Sequence, residues 1–128
     1  MGPLPSSLRL AGLAALAAGA VLSAGPVVPA DAHTVLVSSS PKSGAVVPRL
    51  PRTVSLTFVA PLAKVLRAQV LDARGRDRAV SARLSPRFAG TVLIRTRSGP
   101  RGRYTVRYRV LSRDGHVVTG TIRFRARR

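Results

Sequence analysis

Asp114 and His116 are the residues of this sequence whose types and spacing best suit metal chemistry. They are separated only by Gly115, and they follow a stretch, residues 104–110, in which apolar and polar side chains alternate. Alternation is typical of a β-strand, so the stretch predicts a strand that runs into a tight turn. Residues two apart in extended or turn geometry can point to one side. The turn is therefore expected to present a carboxylate oxygen and an imidazole nitrogen together, and both are metal ligands.

The other histidine of the chain, His33, follows a segment that has the character of a secretory signal. Residues 1–9 carry one basic side chain, residues 10–22 form an Ala/Leu-rich run too short to span a bilayer comfortably, and Ala30-Asp31-Ala32 supplies the small residues of a cleavage site. We predict a signal peptide of residues 1–32 and a single mature domain of residues 33–128. The protein is then exported, to a periplasmic or other extracytoplasmic location, and His33 becomes its first residue.

A terminal His33 would give the chain a set of nitrogen and oxygen ligands suited to Cu(II). An α-amino group has a pKa of about 7.7 to 8.0, so a useful fraction is free near neutral pH and can chelate a metal together with the imidazole. His116 adds a third nitrogen and Asp114 an oxygen. Cu(II) prefers such tetragonal sites, and Zn(II) is the second choice. We expect one Cu(II) ion, with an affinity that falls as the pH drops through about 6.5, because imidazoles bind metals only when unprotonated.

Two alternatives stay open at this point. Asp-Gly is common in hairpins, so Asp114 and Gly115 can be explained as an ordinary turn. A cut after Ala30 would leave Asp31-Ala32-His33 at the terminus, where a third-position histidine binds Cu(II) with the amine and the intervening backbone nitrogens, without His116. We favour the cut after Ala32, because Pro29 is poorly placed just before the other cut.

Composition limits the other kinds of site and partner. The chain has no cysteine, and its one methionine is Met1, so the mature domain lacks sulfur ligands for Cu(I). No apolar stretch after Ala32 is long enough to cross a membrane.

The formal net charge is +18, from 22 Lys and Arg against 4 acidic residues. The arginines alternate with apolar residues in the predicted strands, so we interpret them as outward, solvated side chains that, with Pro48, Pro51 and Pro61, protect sheet edges. We expect no specific nucleic-acid partner. A cationic module that binds an anionic surface polymer without metal is an alternative function.

The hydrophobic pattern predicts an all-β domain with no helix. Seven strands are expected, with turn signals roughly every ten residues, and residues 79–84 are expected to pair with residues 65–71. The predicted strands are residues 34–37, 53–58, 65–71, 79–84, 91–95, 104–110 and 118–125. Residues 104–110 should be the central strand. This pattern is typical of a Greek-key β-sandwich.

The sequence also resembles the CopC family of copper-resistance proteins over the whole predicted mature chain. The resemblance lies in residues 33–36, in residues 40–44, in Phe58 and Pro61, and above all in residues 102–106 and 112–120. It implies a seven-stranded Ig-like or cupredoxin-like sandwich that binds Cu(II) through an N-terminal histidine brace. His33 would supply its amine and imidazole, His116 the second imidazole, and Asp114 a nearby carboxylate.

The function that this resemblance implies is that of an exported carrier or store of copper in resistance or homeostasis. We expect a monomer that is not an enzyme and that passes copper to a CopD-like membrane transporter. Two departures from the family pattern stand out. Many members have Phe-Ser-Glu-Pro where this chain has alanine as the third residue, Ala60, and some have a methionine-rich loop that this chain lacks.

An enzymatic alternative comes from copper monooxygenases that act on polysaccharides, which also use a histidine brace. Those enzymes are generally larger and present a flat surface with exposed aromatic side chains. The pattern here places the aromatic residues in the core, which argues against such a surface. The residues are Phe58, Tyr104, Tyr108 and Phe124.

Overall fold

Strands with alternating apolar and polar residues build the whole fold. The structure is a computed structural model that describes residues 2–3, 19 and 35–128, and no helix occurs in this part of the chain. The strands are β1 (Leu36–Ser40), β2 (Val46–Val47), β3 (Thr53–Phe58), β4 (Leu62–Leu71), β5 (Ala79–Leu84), β6 (Thr91–Thr96), β7 (Gly102–Ser112) and β8 (Val117–Ala126). The all-β prediction is confirmed.

The first two strands differ from the prediction. Strand β2 was not predicted, because two residues are too few to show a pattern. Strand β1 continues to Ser40, beyond the predicted residues 34–37, because the backbone of its serines pairs with β3, with Ser40 opposite Ser55. Backbone pairing of this kind leaves no hydrophobic signal in the sequence.

The strands form two four-stranded sheets, which make a sandwich. The first sheet has the order β1-β3-β6-β5 and the second β2-β8-β7-β4, and all pairs are antiparallel except β2 with β8. Strand β7 lies between β8 and β4, as the prediction of a central strand requires. All eight strands lie within residues 36–126, so a chain of residues 33–128 contains every described element.

The predicted pairing of residues 79–84 with residues 65–71 is wrong. Strand β4 pairs with β7, and β5 pairs with β6. The end of β4 is joined only to the residues just before β5, by a bridge between Leu71 and Asp77 and a hydrogen bond from the Arg78 N–H to the Val70 carbonyl at 2.7 Å. The chain crosses from one sheet to the other, so that Val70 of β4 and Ala82 of β5 both face the interior between the sheets. Periodicity identifies the inner side of each strand but not its partner.

The core lies between the two sheets and contains four of the five aromatic side chains. The Tyr104 and Phe124 rings stack with centroids 5.4 Å apart, and the Phe58 and Tyr108 rings meet edge to face at 5.3 Å. The buried aliphatic residues between the sheets include Val54, Leu56, Val92, Ile94, Val106, Val110 and Ile122. The predicted burial of Phe58, Tyr104, Tyr108 and Phe124 is confirmed, and Phe88 is the one aromatic residue that is exposed.

The predicted role of the arginines in edge protection is wrong for most of them. The arginines of β7 and β8 lie on strands that have neighbours on both sides in the second sheet. They therefore do not cover an edge. None of the described residues belongs to a helix that could cross a membrane.

Candidate metal centre

A tight turn between β7 and β8 brings the two predicted ligand residues together. The Ser112 N–H donates to the His116 carbonyl at 2.9 Å, and the Gly115 N–H donates to the Ser112 carbonyl at 3.0 Å. Gly115 has φ +91°, a left-handed conformation that favours glycine because it has no Cβ. Asp114-Gly115 is thus a hairpin turn, as the simpler interpretation held. The same turn also sets the geometry of a side-chain pair.

Asp114 and His116 form this side-chain pair. His116 Nδ1 lies 3.1 Å from Asp114 Oδ2, and the His116 N–H donates to Asp114 Oδ1 at 3.4 Å. The two side chains are 49% and 43% exposed, so both are open to an ion from solvent. The prediction that Asp114 and His116 point to one side is confirmed by this contact.

Ser112 anchors the pair and was not recognised from the sequence as a site residue. Its hydroxyl donates to Asp114 Oδ1 and accepts the His116 N–H at 3.2 Å, and the residue is buried, with 1% exposure. Ser112 has the same parity along β7 as Tyr104 and Val110, which predicts an inward side chain. Ser112 is the only serine or threonine among these inward positions of β7, and it lies two residues before Asp114. This combination is the signal that could have identified Ser112 as a site residue.

The charge of Asp114 determines which ring nitrogen of His116 is available to a metal. The Ser112 hydrogen bond, and then the bonds from His116, lower the pKa of Asp114 from 3.8 to about 2, so the carboxylate is ionised at neutral pH. An ionised carboxylate only accepts hydrogen bonds, so Nδ1 of His116 must be the donor in this contact. In a neutral imidazole this leaves the Nε2 lone pair available for a metal.

The start of β1 lies at the same end of the sandwich as this turn. The Val59 N–H donates to the Val35 carbonyl at 2.9 Å, and the Arg113 N–H donates to the Pro61 carbonyl at 3.2 Å. The connection between β3 and β4, which contains Ala60, therefore links the beginning of the described chain to the turn. His33 lies outside the described residues, two positions before Val35, and two residues span at most about 7 Å.

Asp114 and His116 are a pair and not a complete site by themselves. In the part of the chain that the structure describes, no three side chains of His, Cys, Asp or Glu come together as metal ligands. The participation of His33 is still a prediction.

Comparison with known proteins identifies the family. The family model of the CopC domain matches residues 36–127, which include all eight strands and the β7–β8 turn. This chain belongs to the CopC family. CopC family proteins bind copper in copper resistance and are not enzymes, which confirms the prediction that this chain is not an enzyme.

Solved structures of the same fold support this assignment. CopC from Methylosinus trichosporium OB3b is 28% identical, with a TM-score of 0.67 over 73% of this chain and 93% of that chain. PcoC, a methionine-rich copper resistance protein from Escherichia coli, is 27% identical, with a TM-score of 0.59 over 75% of this chain and 100% of that chain. A comparison with curated protein sequences gives no match.

Proposed function

We propose that this chain is an exported protein that binds one Cu(II) ion and stores or carries it in copper resistance or homeostasis. Its ligands in this proposal are the His33 amine and imidazole and the His116 imidazole, with Asp114 beside them. The observation that carries the proposal is the Asp114–His116 pair, held at the end of the sandwich where β1 begins. Family membership supports it, and the E. coli relative is a copper resistance protein.

Within this site, Asp114 and His116 have different roles. Because the carboxylate accepts a hydrogen bond from Nδ1–H, Nε2 is the atom of His116 that is available to the ion. Asp114 then positions the ring and raises its basicity, as second partners of metal-binding histidines do. The ionised carboxylate also compensates part of the positive charge of Cu(II).

The position of Val35 supports a terminal ligand near the turn. Val35 is bonded to Val59, and the same connection continues to Pro61, which is bonded to the turn. His33 precedes Val35 by two residues, so in this proposal it approaches Asp114 and His116 from that point. Cleavage after Ala32 would supply the amine.

Exchange of copper with a partner fits the exposure of the pair. Half-exposed ligands at the end of a domain can be approached by a second set of ligands, such as those of a CopD-like membrane transporter. The chain has no cysteine and no methionine after Met1, so its ligands suit Cu(II) and not Cu(I). We infer a carrier of the oxidised ion, active as a monomer outside the cytoplasm.

A Cu(II) titration tests the brace directly. The protein that begins at His33 is compared with the same protein preceded by one alanine, which converts the terminal amine into an amide. We expect a large loss of affinity in the extended protein and a stoichiometry of one ion in the native form. Equal affinities would show that the amine is not a ligand and would overturn the brace.

The other possible cleavage product needs its own control. A protein that begins at Asp31 is titrated with and without His116→Ala. If that form binds copper through His33 and backbone nitrogens, the substitution has no effect on it. In the protein that begins at His33, we expect His116→Ala to weaken binding strongly.

A further inference from the structure

The outer face of the second sheet carries an unusual concentration of positive charge. The register of β4, β7 and β8 places the alternate residues of these strands on one outward surface. Seven exposed cations lie there, and we call this surface the cationic face. Its cations are Lys64, Arg67, Arg103, Arg107, Arg109, Arg123 and Arg125.

The first sheet shows no such concentration. Its outer face is mostly serine and threonine, and its strands carry only Arg83 and Arg95 as outward cations. Of the eight arginines that lie in strands, six are therefore on one side of the sandwich. Net charge alone does not require this asymmetry.

No acidic side chain of residues 35–128 compensates the cationic face. Asp72 is paired with Arg78 in the β4–β5 turn, Asp77 accepts hydrogen bonds from the Val70 and Ala79 amides, and Asp114 lies in the β7–β8 turn. The chain contains no glutamate. The positive charge of this face is therefore compensated by solvent ions or by a partner.

Two pairs of arginines on this face lie directly opposite each other across neighbouring strands. Arg67 faces Arg109, and Arg103 faces Arg125. Like charges in direct cross-strand pairs are destabilising. An anionic partner would remove this repulsion, so the arrangement favours binding at a cost to the stability of the isolated fold.

The shape of the face indicates the kind of partner. The cations spread over three strands, about 10 Å across, and over about 20 Å along β7 from Arg103 to Arg109. A single extended polymer strand could meet only one row of them, whereas a plane of phosphate headgroups can meet all of them. Guanidinium groups bind phosphate in a bidentate manner. The face has no exposed aromatic residue on which bases could stack, since Phe88 lies in the β5–β6 connection.

We propose that the cationic face docks the protein on a bilayer surface rich in anionic phospholipid. Strand β7 ends and strand β8 begins at the turn that holds Asp114 and His116, so docking would keep this turn at the rim of the contact, beside the membrane. The interaction is electrostatic and does not need an inserted side chain. It is independent of copper, and its test uses protein without added metal.

The test compares two triple variants of the chain of residues 33–128 that have the same net charge. Arg67→Gln, Arg107→Gln and Arg109→Gln remove three of the seven charges of the cationic face, while Arg52→Gln, Arg83→Gln and Arg95→Gln remove three charges elsewhere. Cosedimentation is measured with vesicles of equal parts phosphatidylglycerol and phosphatidylcholine, and with phosphatidylcholine alone. Each protein is also measured in competition with linear polyphosphate and with duplex DNA.

The expected result is specific to one triple variant. The native protein and the control triple bind the anionic vesicles and not the neutral ones, and they are released between ~0.1 M and ~1 M salt. The face triple binds roughly 100-fold less, because each arginine near an anionic surface contributes about a fivefold change. Its melting temperature is equal to or above that of the control, since it removes the Arg67–Arg109 repulsion.

Three results would overturn the proposal. Equal losses in the two triples would show attraction by net charge alone, and retained binding in the face triple would place the contact elsewhere. Displacement from vesicles by polyphosphate or DNA at matched phosphate concentration would identify a polymer as the partner. If the face triple does not fold, Arg107→Gln is compared with Arg95→Gln. The proposal then requires that Arg107→Gln binds the anionic vesicles roughly fivefold less than Arg95→Gln does.

Discussion

At the scale of single residues, the candidate site depends on a short chain of hydrogen bonds. Ser112 is buried and holds the Asp114 carboxylate, which in turn holds Nδ1 of His116. The order of these contacts separates residues that would bind copper from residues that would position a ligand. Substitutions along the chain should therefore differ in magnitude.

Asp114→Asn should weaken Cu(II) binding by roughly 10- to 100-fold, while His116→Ala should weaken it more. An amide keeps the shape of the side chain but loses the charge and the strong acceptor for Nδ1, and loss of such a partner typically has an effect of this size. Competition titrations with a chelator of known affinity measure both. If Asp114→Asn matches His116→Ala, the carboxylate is itself a ligand.

Ala60→Glu should strengthen Cu(II) binding. Ala60 lies in the connection whose Val59 and Pro61 are bonded to Val35 and to the turn, so a carboxylate there can approach the ion. Ala73→Glu, in the exposed β4–β5 turn, adds the same charge away from the site and is the matched control. The same titration measures both, and an equal gain in the two variants would show only a change in net charge.

Asp72 couples the stability of the fold to pH. Burial by itself would raise the pKa of Asp72, but hydrogen bonds from the Arg76 amide, the Arg78 guanidinium and the Arg74 amide hold it below its ordinary value of 3.8. A carboxylate whose pKa is lower in the folded state contributes stability that is fully present above its ordinary pKa and is lost as the pH falls through the folded pKa. Its side chain is 1% exposed, so these bonds are shielded from solvent.

We therefore expect the melting temperature of the native protein to fall as the pH is lowered from about 5 to about 2. Asp72→Asn should lower the melting temperature near neutral pH and make the remaining pH dependence shallower. Thermal unfolding followed by circular dichroism across this range measures both. An unchanged slope in the variant would mean that another carboxylate dominates the acid sensitivity.

At the scale of strands, the β7–β8 pair forms the centre of the second sheet and also carries the turn. The two strands are paired from Gly102 opposite Ala126 to Leu111 opposite Val117. Tyr108 lies opposite Gly120, and its ring packs over the glycine where another residue would place a Cβ. The same ring contacts Phe58 of the first sheet, so this position joins the two sheets.

Gly120→Ala should destabilise the protein by about 1–3 kcal/mol, because an added methyl group would overlap the Tyr108 ring and force it out of its place. Chemical denaturation measures the loss. The double variant Gly120→Ala/Tyr108→Leu removes the overlap. Its loss of unfolding free energy should therefore be smaller than the sum of the losses in the two single variants. Additive losses would show that the glycine has a backbone role instead.

At the scale of the whole molecule, the distribution of charge sets a balance between stability and binding. Seven of the cations lie on the outer face of one sheet, where Arg67 opposes Arg109 and Arg103 opposes Arg125. The repulsion between these like charges is screened by salt. The isolated protein should therefore gain stability as the ionic strength rises.

Arg109→Thr should stabilise the protein at low salt by about 0.2–1 kcal/mol relative to Arg107→Thr. Both residues are exposed on β7, but Arg109 faces Arg67, whereas Arg107 faces Gln69 and Thr121. The shared substitution cancels the difference in strand propensity between arginine and threonine. Denaturation at low and high salt measures the difference, which should shrink at high salt. Equal stabilities of the two variants at low salt would show that the side chains of Arg67 and Arg109 point away from each other.

Much of the fold could be predicted from the sequence, because alternation of apolar and polar residues decides which side of a strand is buried. The inner residues of β3, β7 and β8 and the Asp-Gly turn are local properties of short segments. The types and the spacing of Asp114 and His116 are enough to predict that a carboxylate and an imidazole lie together. These features need only neighbouring residues in the chain.

The tertiary structure alone decided features that join distant segments. The partners of β4 and β5, the contact between the chain at Val35 and the connection at Val59, and the burial of Ser112 beside Asp114 all depend on which strands meet. The grouping of arginines from β4, β7 and β8 on one face has the same cause. Strand register and sheet order are set by packing between segments far apart in sequence, and no local pattern encodes them.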